Sequence, residues 1–288
     1  MLEEFKKYLI QNKLSENSIN SYISDLKQFI KYYEDSYGEK LTKLNSADVR
    51  TYISYLTHNL NFKPKTINRK ITAINTYNQF LIEIGIQENI VLNKRDYIKI
   101  QRNITRKTIP TDKEINLLKH LSADNKRDYC FICLLIYGGF RESEVVNIKI
   151  NHVHLEERFI EIIGKGNKYR RVLINDNMYY SLIDYLDKRK NINKENSYLF
   201  VGKKSGYYKN KPLSRNVANR ILAKYNKDAK INNLHPHKLR DTFCTNAIFK
   251  AGYTIEQTAA QAGHTDINTT KGYIGIEEKD ILKKANAM

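Results

Sequence analysis

The chain has 288 residues, enough for one large domain or two modest ones with ample cores. Its 49 Lys and Arg against 31 Asp and Glu leave a net charge of +18, which argues for a polyanionic partner. No apolar run approaches the ~18 residues of a membrane span, no signal-peptide core opens the chain, and three cysteines exclude a disulfide framework and point to a reducing cytoplasm.

The charge is uneven: residues 1–100 hold 15 basic and 11 acidic residues, and residues 101–288 hold 34 and 20. Residues 2–84 read as four helices with short connections, a small bundle. Leu2, Phe5, Leu9 and Ile10 share one apolar face, and Ser15 caps a second helix carrying Ile19, Leu26 and Phe29. Ser46 is the expected cap of the third. Pro64 opens the fourth, which stops near Gly85. Lys63, Lys65, Arg69 and Lys70 crowd the start of that helix. They make a candidate DNA-facing surface, although a solvated helix end fits the same residues equally well.

The first domain is placed at 1–93 and a basic linker at 94–107, where Lys94, Arg95, Lys99, Arg102, Arg106 and Lys107 face one acid, Asp96. Such a linker suits passage along phosphates, with Arg102 and Arg106 as candidate contacts. The second domain, 108–288, opens after Pro110 with a capping box of Thr111 and Glu114. An apolar helix over 126–138 follows, and its Cys130-x-x-Cys133 reads as buried core thiols; no second such pair completes a zinc site. Arg141 then opens another helical stretch. Residues 159–163 and 169–174 form a hairpin with Lys165 at or beside its tip, and a short strand is expected at Leu199–Val201. Residues 203–230 hold nine Lys or Arg, Arg215 among them, against Asp228. A merely solvated helix mixes its signs, so DNA contact is favoured there.

Six side chains stand out for chemistry. His237 and Arg240 lie at i and i+3 on one helix face, Gly263 is placed to end a helix just before His264, and Tyr273 offers a hydroxyl nine residues on. With Arg141 and Lys165 they would serve a phosphodiester. Guanidiniums hold equatorial oxygens, a phenol attacks with His237 or nearby positive charge to activate it, and Lys165 protonates the departing 5′-oxygen. No carboxylate cluster sits beside them to hold a metal, and no cofactor is implied. Singly, each has a plain alternative: Arg141 a salt-bridged helix start, His237 a cap, Lys165 a hairpin turn. His152 and His154 share a strand face, a weaker candidate for metal.

In combination and in this order, the segments Gly139-Phe140-Arg141-Glu142-Ser143-Glu144, Gly164 to Arg170, His237 to Arg240, Ala262-Gly263-His264 and Tyr273 resemble the boxes of the tyrosine recombinases, nearest to Xer-like enzymes and small transposon resolvases. The departures are Asp241 where the family often has His, and Ala262 for Leu. The resemblance implies a mainly α fold with a small β-hairpin or sheet: a helical core-binding domain and a catalytic domain that clamp double-stranded DNA together. It further implies Arg141, Lys165, His237, Arg240, His264 and Tyr273 as catalytic residues, a 3′-phosphotyrosyl intermediate, a Holliday junction, and four protomers on two sites. The first helix starting at residue 2 favours a simple resolvase, a chromosome-dimer resolution enzyme or a minimal integrase. Two other readings share these residues: a type IB topoisomerase-like nicking-closing enzyme, and a non-catalytic DNA-binding protein.

Overall fold

The chain divides into two units, Met1–Asn103 and Ile104–Met288, each with its own main hydrophobic core, and the second also holds a smaller buried cluster of Phe243, Cys244, Ala247, Ala262 and Tyr273. The computed structural model describes residues 1–100, 109–164, 169–192, 196–202, 211–231, 234–264 and 266–273. No helix among the described residues is long and apolar enough to cross a membrane.

The first unit contains α1 (Leu2–Gln11), α2 (Glu16–Tyr37), α3 (Ser46–His58) and α4 (Pro64–Glu83). The Ser15 hydroxyl accepts from the Ser18 N–H at α2, and Pro64 occupies the first turn of α4, where a missing N–H costs nothing. Asn45, not Ser46, caps α3, its side chain accepting from the Ala47 N–H at 2.9 Å. Phe5, Leu9, Leu26, Phe29, Val49, Leu56, Ile67 and Ile71 are all buried at the centre. Residues expected to start a linker at 94 remain part of this unit. Lys94–Asp96 form a 3-10 turn whose Asp96 accepts from Arg50 at 2.8 Å, and the Asn68 amide bonds both N–H and C=O of Ile98 at 2.8 Å. Charge composition alone could not reveal that clamp, because it is made by a neutral amide 30 residues away. The remainder of the proposed linker, from residue 101, lies outside the described residues.

In the second unit, α5 (Asp112–Ser122) begins with the expected reciprocal box between Thr111 and Glu114. Its centre is α6 (Lys126–Gly138), in which Cys130, Phe131, Ile132, Cys133, Leu134 and Leu135 are fully buried, so the helix is apolar nearly all round. A short α7 (Glu142–Val146) leads to an antiparallel sheet of β1 (Val153–His154), β2 (Phe159–Ile163) and β3 (Tyr169–Leu173), in that spatial order, with Glu161 opposite Arg171. Then come α8 (Asp176–Arg189), α9 (Arg215–Ala229), α10 (Pro236–Phe249), α11 (Ile255–Ala262) and α12 (Ile267–Lys271). The strand expected at 199–201 is absent. Leu199, Phe200 and Val201 are buried, as their apolarity suggested, but the buried Arg189 takes the carbonyls of Asn196 at 2.6 Å, Tyr198 at 2.9 Å and Leu199 at 3.2 Å. The Phe200 carbonyl accepts from the Leu213 N–H at 3.2 Å and that of Val201 from Arg127 at 3.3 Å, so these groups are met without a neighbouring strand. His152 lies in a 3-10 turn, while His154 is in β1, stacked on Phe159 with ring centroids 4.4 Å apart.

Candidate active site

The site is built around one buried carboxylate. Glu144, three residues into α7, reaches back to the Arg141 N–H at 2.7 Å and accepts from the Arg141 guanidinium at 2.9 Å. Arg170 on β3 grips both oxygens of Glu144 at 2.9 Å each, and Arg240 on α10 stands 4.0 Å away. Burial by itself raises the Glu144 pKa. The bonds and charge of Arg170, followed by those of Arg141, outweigh that and hold the carboxyl below its usual range. Three guanidiniums are therefore arranged around a single fixed anion, which offsets part of their mutual repulsion.

Arg240 is only 2 % exposed. One of its terminal nitrogens donates to the Gly139 carbonyl at 2.6 Å, while Nη2 is buried with no hydrogen-bond partner among the described residues. A charged donor left in that state is costly, on the order of 1–3 kcal/mol or more. Burial, then the neighbouring Arg141 charge, lowers the pKa of this guanidinium from its ordinary value. Gly139 is fixed as glycine twice over. Its φ is +62°, and a Cβ there would come within 2.3 Å of the Phe243 ring.

Beside these arginines is a cleft of about 390 Å³ lined by Arg141, Glu142, Arg215, His235, His237 and Arg240. His237 is exposed on the first turn of α10. The cap of that helix is His235, whose ring accepts from the Lys238 N–H at 3.2 Å, so the capping role weighed for His237 belongs to its neighbour. Arg215, the first residue of α9, lines the same cleft, and its charge opposes the rise that burial gives the Glu142 pKa.

The far wall comes from the end of α11. Gly263, in the left-handed conformation at φ +70°, ends the helix as expected, and its carbonyl accepts from Arg141 Nη2 at 2.9 Å. A Cβ on Gly263 would lie 2.5 Å from the Arg170 guanidinium, so hairpin, arginine cluster and turn are in direct contact here. The Gln261 amide pairs with both N–H and C=O of Leu173 on β3, at 3.2 and 3.1 Å. His264 follows, its Nδ1 2.8 Å from the Thr270 hydroxyl and its ring parallel to that of Tyr273, with centroids 6.0 Å apart.

Tyr273 is almost fully buried, and its hydroxyl donates to Asp241 Oδ1 at 2.6 Å. Burial first, then that bond, push the phenol well above its ordinary pKa, with Arg240 pulling in the opposite direction. Of the six residues chosen for chemistry, Arg141, His237, Arg240, His264 and Tyr273 thus converge through shared or adjacent partners. Lys165 lies outside the described residues, although the strands that flank it, β2 and β3, are paired as expected. Glu144, Arg170 and Asp241 were missed as site residues. Glu144 and Arg170 stood inside the family boxes and Asp241 as a departure from one, but nothing local showed that Arg170 would grip Glu144 or that Asp241 would meet Tyr273.

The candidate DNA-contacting residues divide. Lys63 and Lys65 are exposed at the start of α4. Arg69 is half-exposed and bonded to Asp25 and Ser21. Lys70 is a correction: it is 2 % exposed, with its ammonium on Asp25 at 2.9 Å and Gln28 at 2.6 Å, and it holds α4 to α2 instead of facing solvent. Arg102 and Arg106 lie outside the described residues.

Comparison with known proteins agrees with this architecture. Residues 107–279 match the phage integrase family and residues 2–85 match the N-terminal SAM-like domain of phage integrase. A relative named TnP I resolvase from Bacillus thuringiensis is 39% identical over 287 residues, covering 98% of this chain and 97% of its own. Tyrosine recombinase XerC of Staphylococcus epidermidis is 28% identical over 282 residues, covering 95% and 91%. Among solved structures, the fold resembles XerH recombinase bound to its difH substrate before cleavage (TM-score 0.71, 18% identity, 100% of this chain and 84% of that one). It also resembles the Tn1549 transposon integrase in complex with a circular intermediate DNA (TM-score 0.69, 17% identity, 100% and 99%). The chain belongs to the phage integrase family of tyrosine recombinases.

Proposed function

We propose that this protein is a site-specific DNA recombinase that cleaves and rejoins strands through a 3′-phosphotyrosine on Tyr273. The observation that carries the assignment is the buried, unsatisfied Nη2 of Arg240 beside a cleft that also presents Arg141 and Arg215. A donor that costs this much when unpaired is accounted for by an anion that completes it. Arg141 and Arg240 then hold the non-bridging oxygens of the scissile phosphate, with charge waiting where it develops in the transition state. His237 and His264 donate to the same phosphate, and Lys165 protonates the 5′-oxygen as it leaves. Lys63, Lys65, Arg69, Arg102, Arg106 and Arg215 contact the duplex backbone. Strand exchange passes through a Holliday junction in a tetramer on two inverted-repeat sites, in the cytoplasm, where the buried free thiols Cys130, Cys133 and Cys244 stay reduced. Relatives named as resolvase and XerC, and neighbours seen on recombination-site DNA, support this reading.

The test is a nicked duplex carrying a site selected by the full-length protein from a random library. Wild type should accumulate a covalent protein–DNA adduct, and Tyr273→Phe none. An adduct that persists in Tyr273→Phe overturns the assignment. Relaxation of any supercoiled plasmid without exchange products would favour a nicking-closing enzyme, and binding without cleavage at any site a DNA-binding protein.

A further inference from the structure

A phenol that attacks phosphorus must shed a proton, and at its ordinary pKa near 10 only about one in a thousand is ionised at pH 7. Burial makes the difficulty greater for Tyr273. The sequence offered His237 or nearby positive charge to activate the phenol; in the structure the hydroxyl donates to Asp241 Oδ1, at 2.6 Å. Asp241 follows Arg240 directly on α10, so the group that would hold the phosphate and the group that touches the nucleophile are consecutive in the chain. Among the described residues, the charged or titratable groups facing the phenol are Arg240, Asp241 and Cys244 from α10, and His264 from the turn between α11 and α12. The Nδ1 of His264 is engaged with the Thr270 hydroxyl.

Resting on the recombinase reading, we propose that Asp241 is the general base of the cleavage step, taking the proton from the Tyr273 hydroxyl as that oxygen attacks. A lone pair of the phenolic oxygen forms the new O–P bond while the O–H proton passes to Asp241. The P–O5′ bond breaks, its electron pair leaving on the 5′-oxygen, which takes a proton from Lys165. Rejoining is the reverse: a 5′-hydroxyl attacks the phosphotyrosine and returns its proton to Lys165, the P–O bond to Tyr273 breaks, and the departing phenolic oxygen recovers its proton from Asp241. A carboxylate is too weak to ionise a resting phenol. It need not do so, because the phenolic oxygen grows more acidic as it bonds to phosphorus, and a short charge-assisted bond is already in place along which the proton can move. The same bond has an opposite reading, in which Asp241 is a latch that keeps the nucleophile protonated and idle, and the experiment separates the two.

The probe is the selected-site duplex with sulfur replacing the bridging 5′-oxygen at the scissile phosphate. A thiolate leaves without a proton, so only the nucleophile's side of the reaction is read. Single-turnover cleavage by full-length Asp241→Asn, which keeps an acceptor oxygen on the phenol but cannot hold its proton, should fall by about 10²–10⁴-fold on both substrates. DNA affinity should be unchanged within about twofold, and the residual rate should climb about tenfold per pH unit as hydroxide takes over. The wild-type rate should instead be flat across the neutral range. Asp241→Glu should regain part of the rate with the flat profile, and Lys165→Ala should be rescued by sulfur where Asp241→Asn is not. An Asp241→Asn rate equal to or above wild type on the sulfur substrate overturns the proposal, the faster case identifying a latch. A loss that leaves the shape of the pH profile unchanged overturns it as well, marking a structural role. Wild type that forms no Tyr273 adduct on either substrate would instead sink the recombinase reading.

Discussion

Replacing Glu144 with Gln should cost the catalytic unit about 3 kcal/mol. The side chain is 6 % exposed, so solvent cannot substitute for the lost charge. Arg170 and Arg240, with side chains 16 % and 2 % exposed, depend on it most; Arg141, at 43 %, can turn to water and is discounted. Hydrogen bonds to a charged acceptor contribute about 1.5–3 kcal/mol each. The amide keeps one oxygen for one arm of Arg170 and turns an NH₂ toward the other, so roughly one full bond is lost and a second is weakened. That estimate meets the lower end of the ~3–5 kcal/mol expected for breaking a buried ion pair. It corresponds to about 150-fold in the folding equilibrium and to a melting point lower by ~6–12 °C for a unit of this size. The full-length chain is titrated with urea, and amide exchange in α7 and β3 assigns the loss to the catalytic unit. The pH dependence carries a definite sign. The folded Glu144 pKa is depressed below the ordinary 4.5, so its contribution is complete above that value and is lost as pH falls through the folded one. The gap between wild type and variant should therefore be constant near neutrality and narrow below about pH 4.5. A loss under about 1 kcal/mol at pH 7, or a gap that widens in acid, would refute the view that this carboxylate organises the arginines.

Gly263→Ala should destabilise the same unit by at least ~1–2 kcal/mol from the left-handed backbone alone, and calorimetry should show more, since the added methyl meets Arg170. In the first unit, Lys65→Ala should weaken DNA binding and flatten its salt dependence by about one counterion, whereas Lys70→Met should lower the melting point by several degrees and leave the salt slope unchanged. Cys133, whose thiol burial pushes up to about 11, and the fully buried Cys130 should react with a thiol reagent at neutral pH only as fast as the protein unfolds, followed by mass spectrometry with and without urea.

Most of the helical scaffold was legible because its signals are local. Ser15, Pro64, and the Thr111 and Glu114 pair mark helix starts within a turn, and the apolar run over 126–138 could only be buried. Apart from helix caps that fell one or two residues away, at Asn45 and His235, the expectations that failed involve partners distant in sequence. Lys70 looked like one more exposed cation beside Lys63 and Lys65 until Asp25, 45 residues earlier, is seen to claim it. Leu199–Val201 had the apolarity of a strand, but its carbonyls go to scattered donors: Arg189 and Tyr185 at Leu199, the Leu213 N–H at Phe200 and Arg127 at Val201. At the site, the order and spacing of the boxes brought out the six chemical side chains. The contacts that orient them, Arg170 on Glu144 and Asp241 on Tyr273, span 26 and 32 positions and have no local signature.

The pairing of the Gln261 amide with Leu173 has a consequence for solubility. Among the described residues β3 is the outer strand of a three-stranded sheet, and an open outer strand is a template on which another chain can add and polymerise. By filling one donor and one acceptor with a side chain that cannot itself be extended, Gln261 interrupts the ladder at the carboxyl end of β3 and denies an intruding strand a continuous register. Gln261→Leu should therefore aggregate sooner than wild type in concentrated solution, even under conditions where its fold is retained.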